Sequence, residues 1–493
     1  MNRYTISTGK FGLSSRQITG LKSLVAILSV AAMLIFAGCS DADLPVTGGA
    51  SQDLGMANSG NGVLGINVLL NTAVTDEILA DLGNYGKVRD IMYKVNAVTM
   101  QAKADQLGTI QALPYVAVAN PDAEREGKPV DLVSATDFLG GISTWDQDAI
   151  NVTVQPFSSA RDVTYTGNGV FVAILDTGLL DSWRKYFPQE RIAVEYAKSF
   201  GGGGGEVGNV SEQPNKWEHD QNSHGTHVTS TVIGYSLRGT AINGAAPMAT
   251  IIPVKVLNQN GSGWSSVIAR GIEYIGDLKA GPLADYPVVI NMSLGGPVLD
   301  AVEQAAIDYA IAQGVIIVAS AGNRGLMGMG YPGAYEPVIS SAASGWLGEW
   351  QPFPNGGWWY NLDVAEPTNP ANFYITDFSS RELAGQDLDI AAPGSWVVGP
   401  YQVNSGNSMS YYFLGGTSMA SPHVAGVVAL MCEKNPFLTA AQAESILEST
   451  AIPLPPGSLD VQGPSGALET FTWGTDATGA GLLDAAAALS ATP

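Results

Sequence analysis

Val170-Phe171-Val172-Ala173-Ile174-Leu175, followed at once by Asp176-Thr177-Gly178, is the stretch from which the fold can be read. Six consecutive apolar residues that end on an acid and a turn glycine describe a strand with neither face in water. Three further runs have this character: Thr250 to Leu257, Val288 to Asn291 and Val315 to Ala319. Between them, Ser265 to Leu278 and Leu299 to Ala312 carry apolar residues at helical spacing. Buried strands alternating with helices predict an α/β domain, a mostly parallel sheet with helices on both faces. Ligands of such sheets settle beyond the carboxyl ends of the strands. Asp176 follows the first strand directly, and Ser293 and Asn323 follow later ones, so separate chain regions converge on one cleft.

The chain is long enough for this domain and a smaller one, since 493 residues of 45% hydrophobic composition supply a sizeable core. Its formal charge of -22 repels phosphate backbones and anionic bilayers, which excludes nucleic acid as a partner. The two cysteines, Cys39 and Cys432, make no disulfide framework, so stability must come from packing.

Residues 1–38 have the form of an export signal. Arg3, Lys10, Arg16 and Lys22 precede an apolar run, Leu24 to Ala37, that is short for a membrane span. Residues 39–61 are rich in Gly, Ser, Asp and Asn and read as a flexible tether. Residues 62–122 form a small α+β unit of ferredoxin-like type. Gly65 to Leu70 reads as a strand, Thr75 to Leu82 as a helix, Val88 to Val95 as a second strand continuing extended to Met100, Ala102 to Gln111 as a helix, and Tyr115 to Val118 as a closing strand. Residues 123–493 are then the large domain. Gly201 to Gly205 reads as a loop rather than a phosphate cradle, because no Lys-Ser or Lys-Thr follows. Trp346 to Thr376 has the look of an insertion, either a loop packed on the body or a wall extending the cleft. Gly479 to Ala485 and the helix after it read as the close of the domain.

Breaking an amide needs a nucleophile, a base to take its proton, and a carboxylate to orient the charged base. Ser418, in Gly-Thr-Ser-Met-Ala-Ser-Pro-His, precedes a helix through Val424 to Met431, with Pro422 in its first turn, so the positive helix end faces the hydroxyl. A lone serine there would simply cap a helix. His224, in Asn-Ser-His-Gly-Thr-His-Val, suits proton transfer near neutral pH. His227 is spaced to join it on a metal, but the glutamate of a zinc peptidase is missing. Asp176, in Asp-Thr-Gly, could belong to an aspartic peptidase, which needs a second such carboxylate. No second Asp-Thr-Gly occurs, leaving Asp176 to hold the tautomer of His224.

Those three blocks, in the order Asp, His, Ser, resemble the subtilisin-like serine peptidases, the subtilase family. The resemblance implies an endopeptidase acting through an acyl-enzyme on Ser418, with Asp176 and His224 completing the triad and Asn323 donating to the oxyanion. It also implies that Gly261-Ser262-Gly263 and Ser293-Leu294-Gly295 flank an extended substrate, with Ser320-Ala321-Gly322 beside it, and that Trp264 either borders a side-chain pocket or packs on the domain. Residues 62–122 resemble the family's inhibitory propeptide, an intramolecular inhibitor removed by self-cleavage between Asn120 and Ser143. Phe36-Ala37-Gly38-Cys39 resembles a bacterial lipoprotein processing site, with Phe36 where leucine is usual. A lipid on Cys39 would be the one membrane link, and the enzyme would be exported, whether extracellular, periplasmic or anchored to the envelope.

The chemistry requires no cofactor and no metal is assigned. Phe187-Pro188-Gln189-Glu190 departs from the family's acidic calcium ligand after a proline, so structural calcium stays open but unplaced. Protein or peptide substrates are the expected partners. Two other readings remain at this level: a catalytically silent binding protein of the same fold, and an esterase.

Overall fold

Along Phe171–Asp176, successive side chains enter two different cores. Val172 and Ile174 pack on one side of the sheet, and Ala173 and Leu175 on the other. The two-residue period of a strand buried on both faces produces this division. The computed structural model describes residues 62–127, 131–134, 144–153, 161–201, 210, 212–213, 215–350, 364, 366–403 and 410–493. The expected export signal and tether, Cys39, and residues 202–205 of the expected glycine loop therefore lie outside the described residues.

The small unit comes first: β1 (Val63–Leu70), α1 (Asp76–Leu82), β2 (Gly86–Met92), β3 (Ala97–Lys103), α2 (Leu107–Gln111) and β4 (Val116–Pro121). Its sheet runs β2-β3-β1-β4 with every pair antiparallel. This is the expected ferredoxin-like arrangement, with two differences. Val88 to Met100 is a hairpin rather than one continuous extended run, because Asn96 takes φ 52° in the turn. The second helix starts late, since Ala102 and Lys103 complete the β3 ladder against Leu64 and Val63. β5 (Glu124–Glu126) then leaves this unit for the large domain.

In the large domain, the sheet is built from β6 (Phe171–Asp176), β7 (Lys198–Ser199), β8 (Thr250–Lys255), β10 (Val288–Met292), β11 (Val315–Ser320), β12 (Ile339–Trp346), β13 (Phe373–Ile375) and β14 (Ile390–Pro393). Its order is β13-β12-β11-β10-β6-β8-β7, with β14 also paired to β12. All these pairs are parallel except β12 with β13. The short strand β9 (Ser262–Trp264) stands apart and pairs with β5. Helix α3 (His224–Ile233) and helix α6 (Thr417–Lys434) cover one face, while α4 (Ser265–Ala280) and α5 (Ala301–Ala312) cover the other.

The run from Trp346 to Thr376 is tied to the body at both ends. Trp346 closes β12 and stacks on Trp145 at 6.2 Å, and β13 pairs back onto β12. The buried carboxylate of Glu349 accepts from Trp346 N and from the hydroxyls of Tyr374 and Ser395. Residues 351–363, with Trp358 and Trp359, lie outside the described residues. The hairpin Gly457–Gln462 with Leu468–Trp473 was not read from the sequence, and it precedes the closing segment as a surface addition.

Candidate active site

Asp176 is the last residue of β6 and is fully buried. Its Oδ1 accepts from Thr177 N at 2.6 Å, which fixes the carboxylate plane. His224 opens α3 after Ser223, whose φ of 77° turns the chain sharply into the helix. Gly225 allows the helix to start this close to the strand. A Cβ there would lie 2.4 Å from Gly178 O and 3.2 Å from Asp176 Cβ. Gly225 N also donates to Thr177 Oγ1 at 2.9 Å, and Thr177 Oγ1 donates to Asp220 Oδ2 at 2.9 Å. In consequence His224 Nδ1 sits 2.8 and 2.9 Å from the two Asp176 oxygens. His224 Nε2 is buried without a hydrogen-bond partner.

Ser418 is the second residue of α6, so the helix begins earlier than the sequence suggested and Pro422 lies one turn inside it. The proline cannot donate to Ser418 O, the carbonyl four residues before it. Ser293 Oγ supplies that bond instead, at 2.8 Å, and also contacts Ser421 Oγ at 2.8 Å while accepting from Asn291 Nδ2 at 3.0 Å. The Ser418 hydroxyl donates to Ser293 O at 3.2 Å. Asn323 is oriented by its neighbour: its Oδ1 accepts from Thr417 N at 2.9 Å and Thr417 Oγ1 at 3.0 Å, which turns its amide nitrogen towards Gly416. Gly322 N donates to Thr417 Oγ1 at 3.1 Å and Ser320 Oγ to Leu294 O at 3.2 Å, tying Ser320-Ala321-Gly322 to the same region.

The cleft holds a strand of this same chain. β5 pairs antiparallel with β9, placing Glu126 opposite Ser262, Arg125 opposite Gly263 and Glu124 opposite Trp264. Gly127 N then donates to Gly261 O at 2.9 Å. On the other side, a Cβ on Gly127 would lie 2.7 Å from Ser293 O and 3.5 Å from His224 Cε1. A Cβ on Gly296 would lie 2.5 Å from Glu124 O. Residues 124–127 are thus laid between the two segments expected to flank a peptide. The chain reappears at Asp131, opposite Gly415, three residues before Ser418. Trp264 is half-buried against the core beneath it.

Three polar residues that fix the incoming strand were not singled out from the sequence. Asp300 caps α5, accepting from Val302 N and Glu303 N, and also receives the amides of Asn67 and Asn120. Asp122 accepts from Ser266 N at 3.0 Å and Ser265 Oγ at 2.8 Å at the start of α4. Glu303 meets Arg125. An acid among the apolar residues of Leu299 to Ala312 was the available signal for Glu303. The pairings of Asp122 with Ser265 and Ser266, and of Asp300 with Asn67 and Asn120, join residues far apart in the chain and carry no local signal, whereas an aspartate just before the helical run was a local sign of the Asp300 cap.

His423, buried, is held by Met419 O and Asp146, and His219 is exposed beside Asp181, so neither belongs to this cleft. Burial pushes His227 down to about 3, and it contacts Val397 O. The carboxylates of Asp387, Asp389 and Glu444 offer ligand atoms within 4.8 Å of one another and could hold a cation. None of the three was singled out as a ligand from the sequence. Among the described residues no helix is long and apolar enough to cross a membrane.

Residues 167–481 match the family described as the subtilase family. Subtilisin DY from Bacillus licheniformis is 35% identical over 291 residues, 58% of this chain and 85% of that one. Subtilisin from Bacillus pumilus is 34% identical over the same shares. Among solved structures, fervidolysin from Fervidobacterium pennivorans, a keratinolytic enzyme related to subtilisin, matches with a TM-score of 0.60 at 24% identity, covering 87% of this chain and 61% of fervidolysin. At that identity the likeness is one of fold.

Proposed function

The chain belongs to the subtilase family and is a serine endopeptidase whose chemistry needs no cofactor, and from this premise we propose the roles of its residues and the form in which it is made. Ser418 attacks the substrate carbonyl. His224 takes the serine proton through the free Nε2 and returns it to the leaving amine, and Asp176 holds Nδ1 protonated and stabilises the imidazolium. Asn323 and the Ser418 backbone N–H donate to the oxyanion. A substrate adds as a strand between Gly261-Ser262-Gly263 and Ser293-Leu294-Gly295, with Ser320-Ala321-Gly322 beside it, gaining main-chain bonds with little regard to sequence.

Residues 62–127 act as an inhibitory propeptide. The observation that carries this reading is the seating of Glu124 to Gly127 in the cleft, antiparallel to β9 and against His224. Because the chain passes from Gly127 beside His224 to Asp131 opposite Gly415, the processing cut falls among the bonds joining residues 127–131. The basic leader and apolar run support export, and Phe36-Ala37-Gly38-Cys39 supports a lipid on Cys39 that would remain with the propeptide.

The test combines a fluorophosphonate probe with N-terminal sequencing. Activated enzyme should label and begin within residues 128–131, whereas Ser418→Ala should neither label nor be cut. Labelling that survives Ser418→Ala, or active enzyme that retains residues 62–120, would refute the assignment.

A further inference from the structure

Arg125 is the middle residue of β5, and its side chain leaves the strand for the interior of the peptidase body. It is fully buried. Nη2 donates to Glu303 Oε2 at 2.5 Å and to Val298 O at 2.7 Å, Nε to Glu303 Oε2 at 3.1 Å, and Nη1 to Glu124 O at 3.3 Å. Glu303 is equally buried, on the inward side of α5 with Val302, Ala306, Ile307 and Ala310. Its Oε1 has no hydrogen-bond partner.

A carboxylate in such a position persists only against a positive partner. Arg125 is that partner, whereas Asp300 and Asp122 face Glu303 as like charges. Desolvation and those like charges push Glu303 up to about 7 even with the guanidinium present. Arg125 belongs to the strand that must leave for the enzyme to work. Once that strand has gone, Glu303 is a buried acid at the bottom of an open pocket, and whichever peptide enters next inherits it.

We propose that Glu303 is a specificity-determining residue: the pocket beneath β9 selects arginine at the substrate position opposite Gly263. The proposal rests on the reading that a substrate takes the path of Glu124 to Gly127, and it names the side chain that this path prefers. Arginine fits better than lysine because its planar fork reaches the Glu303 carboxylate and the Val298 carbonyl at once. A leucine there would leave the acid desolvated and unpaired. Gly127, two residues after Arg125, abuts His224, and Asp131, six residues after it, lies opposite Gly415. The cut therefore falls between two and six residues beyond the selected arginine.

The experiment is digestion of a peptide library by activated enzyme, read by mass spectrometry, followed by kcat/KM on peptides differing only in Arg, Lys or Leu at the selected position. Arginine should be enriched at one position in that window, with Arg preferred over Leu by about 100-fold, the scale set by a buried charge pair losing one member. Glu303→Leu should erase or invert the preference. Because that change strands Arg125 in the precursor, the double variant Arg125→Leu with Glu303→Leu provides a matched pair for folding. Cut sites without arginine in the window, or an Arg to Leu ratio unchanged in the double variant, would overturn the proposal. Abundant arginine-independent cleavage that still requires Ser418 would do so while leaving the peptidase reading intact; cleavage indifferent to Ser418 would strike that reading instead.

Discussion

Asp176 presents both oxygens to His224 Nδ1, and one of them is also held by Thr177 N. Replacing it with asparagine would keep the shape but could set an amide donor against Nδ1, favouring the wrong tautomer. We expect Asp176→Asn to lower kcat by about 10,000-fold, with KM changed far less. Steady-state kinetics on one peptide would check this, and a loss carried mainly in KM would contradict it. Asn323 is pinned through Oδ1 by Thr417, so its amide nitrogen is aimed without needing substrate. Asn323→Leu should reduce kcat by about 100- to 1000-fold, the magnitude known for this type of donor in subtilisin. The thiol-free chemistry leaves Cys432 out of the site: burial pushes its thiol up to about 12.

At the scale of elements, α6 survives a proline one turn inside it because Ser293, arriving from the end of β10, satisfies the carbonyl that Pro422 abandons. The same serine binds Ser421 Oγ and accepts from Asn291. Ser293→Ala would leave these buried groups short of partners and should destabilise the fold by about 1–3 kcal/mol. Urea unfolding of Ser293→Ala in a Ser418→Ala background, which prevents self-digestion, measures the loss. A midpoint unchanged by the substitution would show that the proline gap is closed in some other way. The N-terminal sheet meets α4 and α5 through polar side chains as well. Asp122 and Asp300 sit at the two helix starts, where the exposed N–H groups and the positive dipole ends favour carboxylates.

Across the whole molecule, these buried acids make stability depend on pH. Burial raises Asp122 and Asp220 to about 6 and Glu303 to about 7. A carboxyl raised on folding stabilises the folded chain below the ordinary carboxylate pKa, and that contribution is lost as pH rises through the folded value. His227, depressed to about 3 by burial, acts in the opposite sense and adds stability as pH rises towards 6.5. Above about pH 6.5 the carboxyls are increasingly unopposed, so the urea midpoint of the full Ser418→Ala chain should fall between pH 6.5 and pH 8. Glu303→Gln should lower the midpoint overall and flatten that fall; a midpoint that climbs through this range would reverse the sign of the argument. The sequence by itself determined the parallel sheet and the antiparallel N-terminal unit, because burial periodicity and turn residues act over a few neighbours and leave a local record, and its motif blocks singled out Asp176, His224, Ser418 and Asn323 by their resemblance to the family. It could not determine that Pro422 lies beyond the first turn of its helix with Ser293 closing the gap, that Glu303 has a partner, or that residues 124–127 occupy the cleft. Each of those depends on a hydrogen bond or ion pair between residues more than 100 positions apart, and only the packing of distant strands and helices brings such groups together.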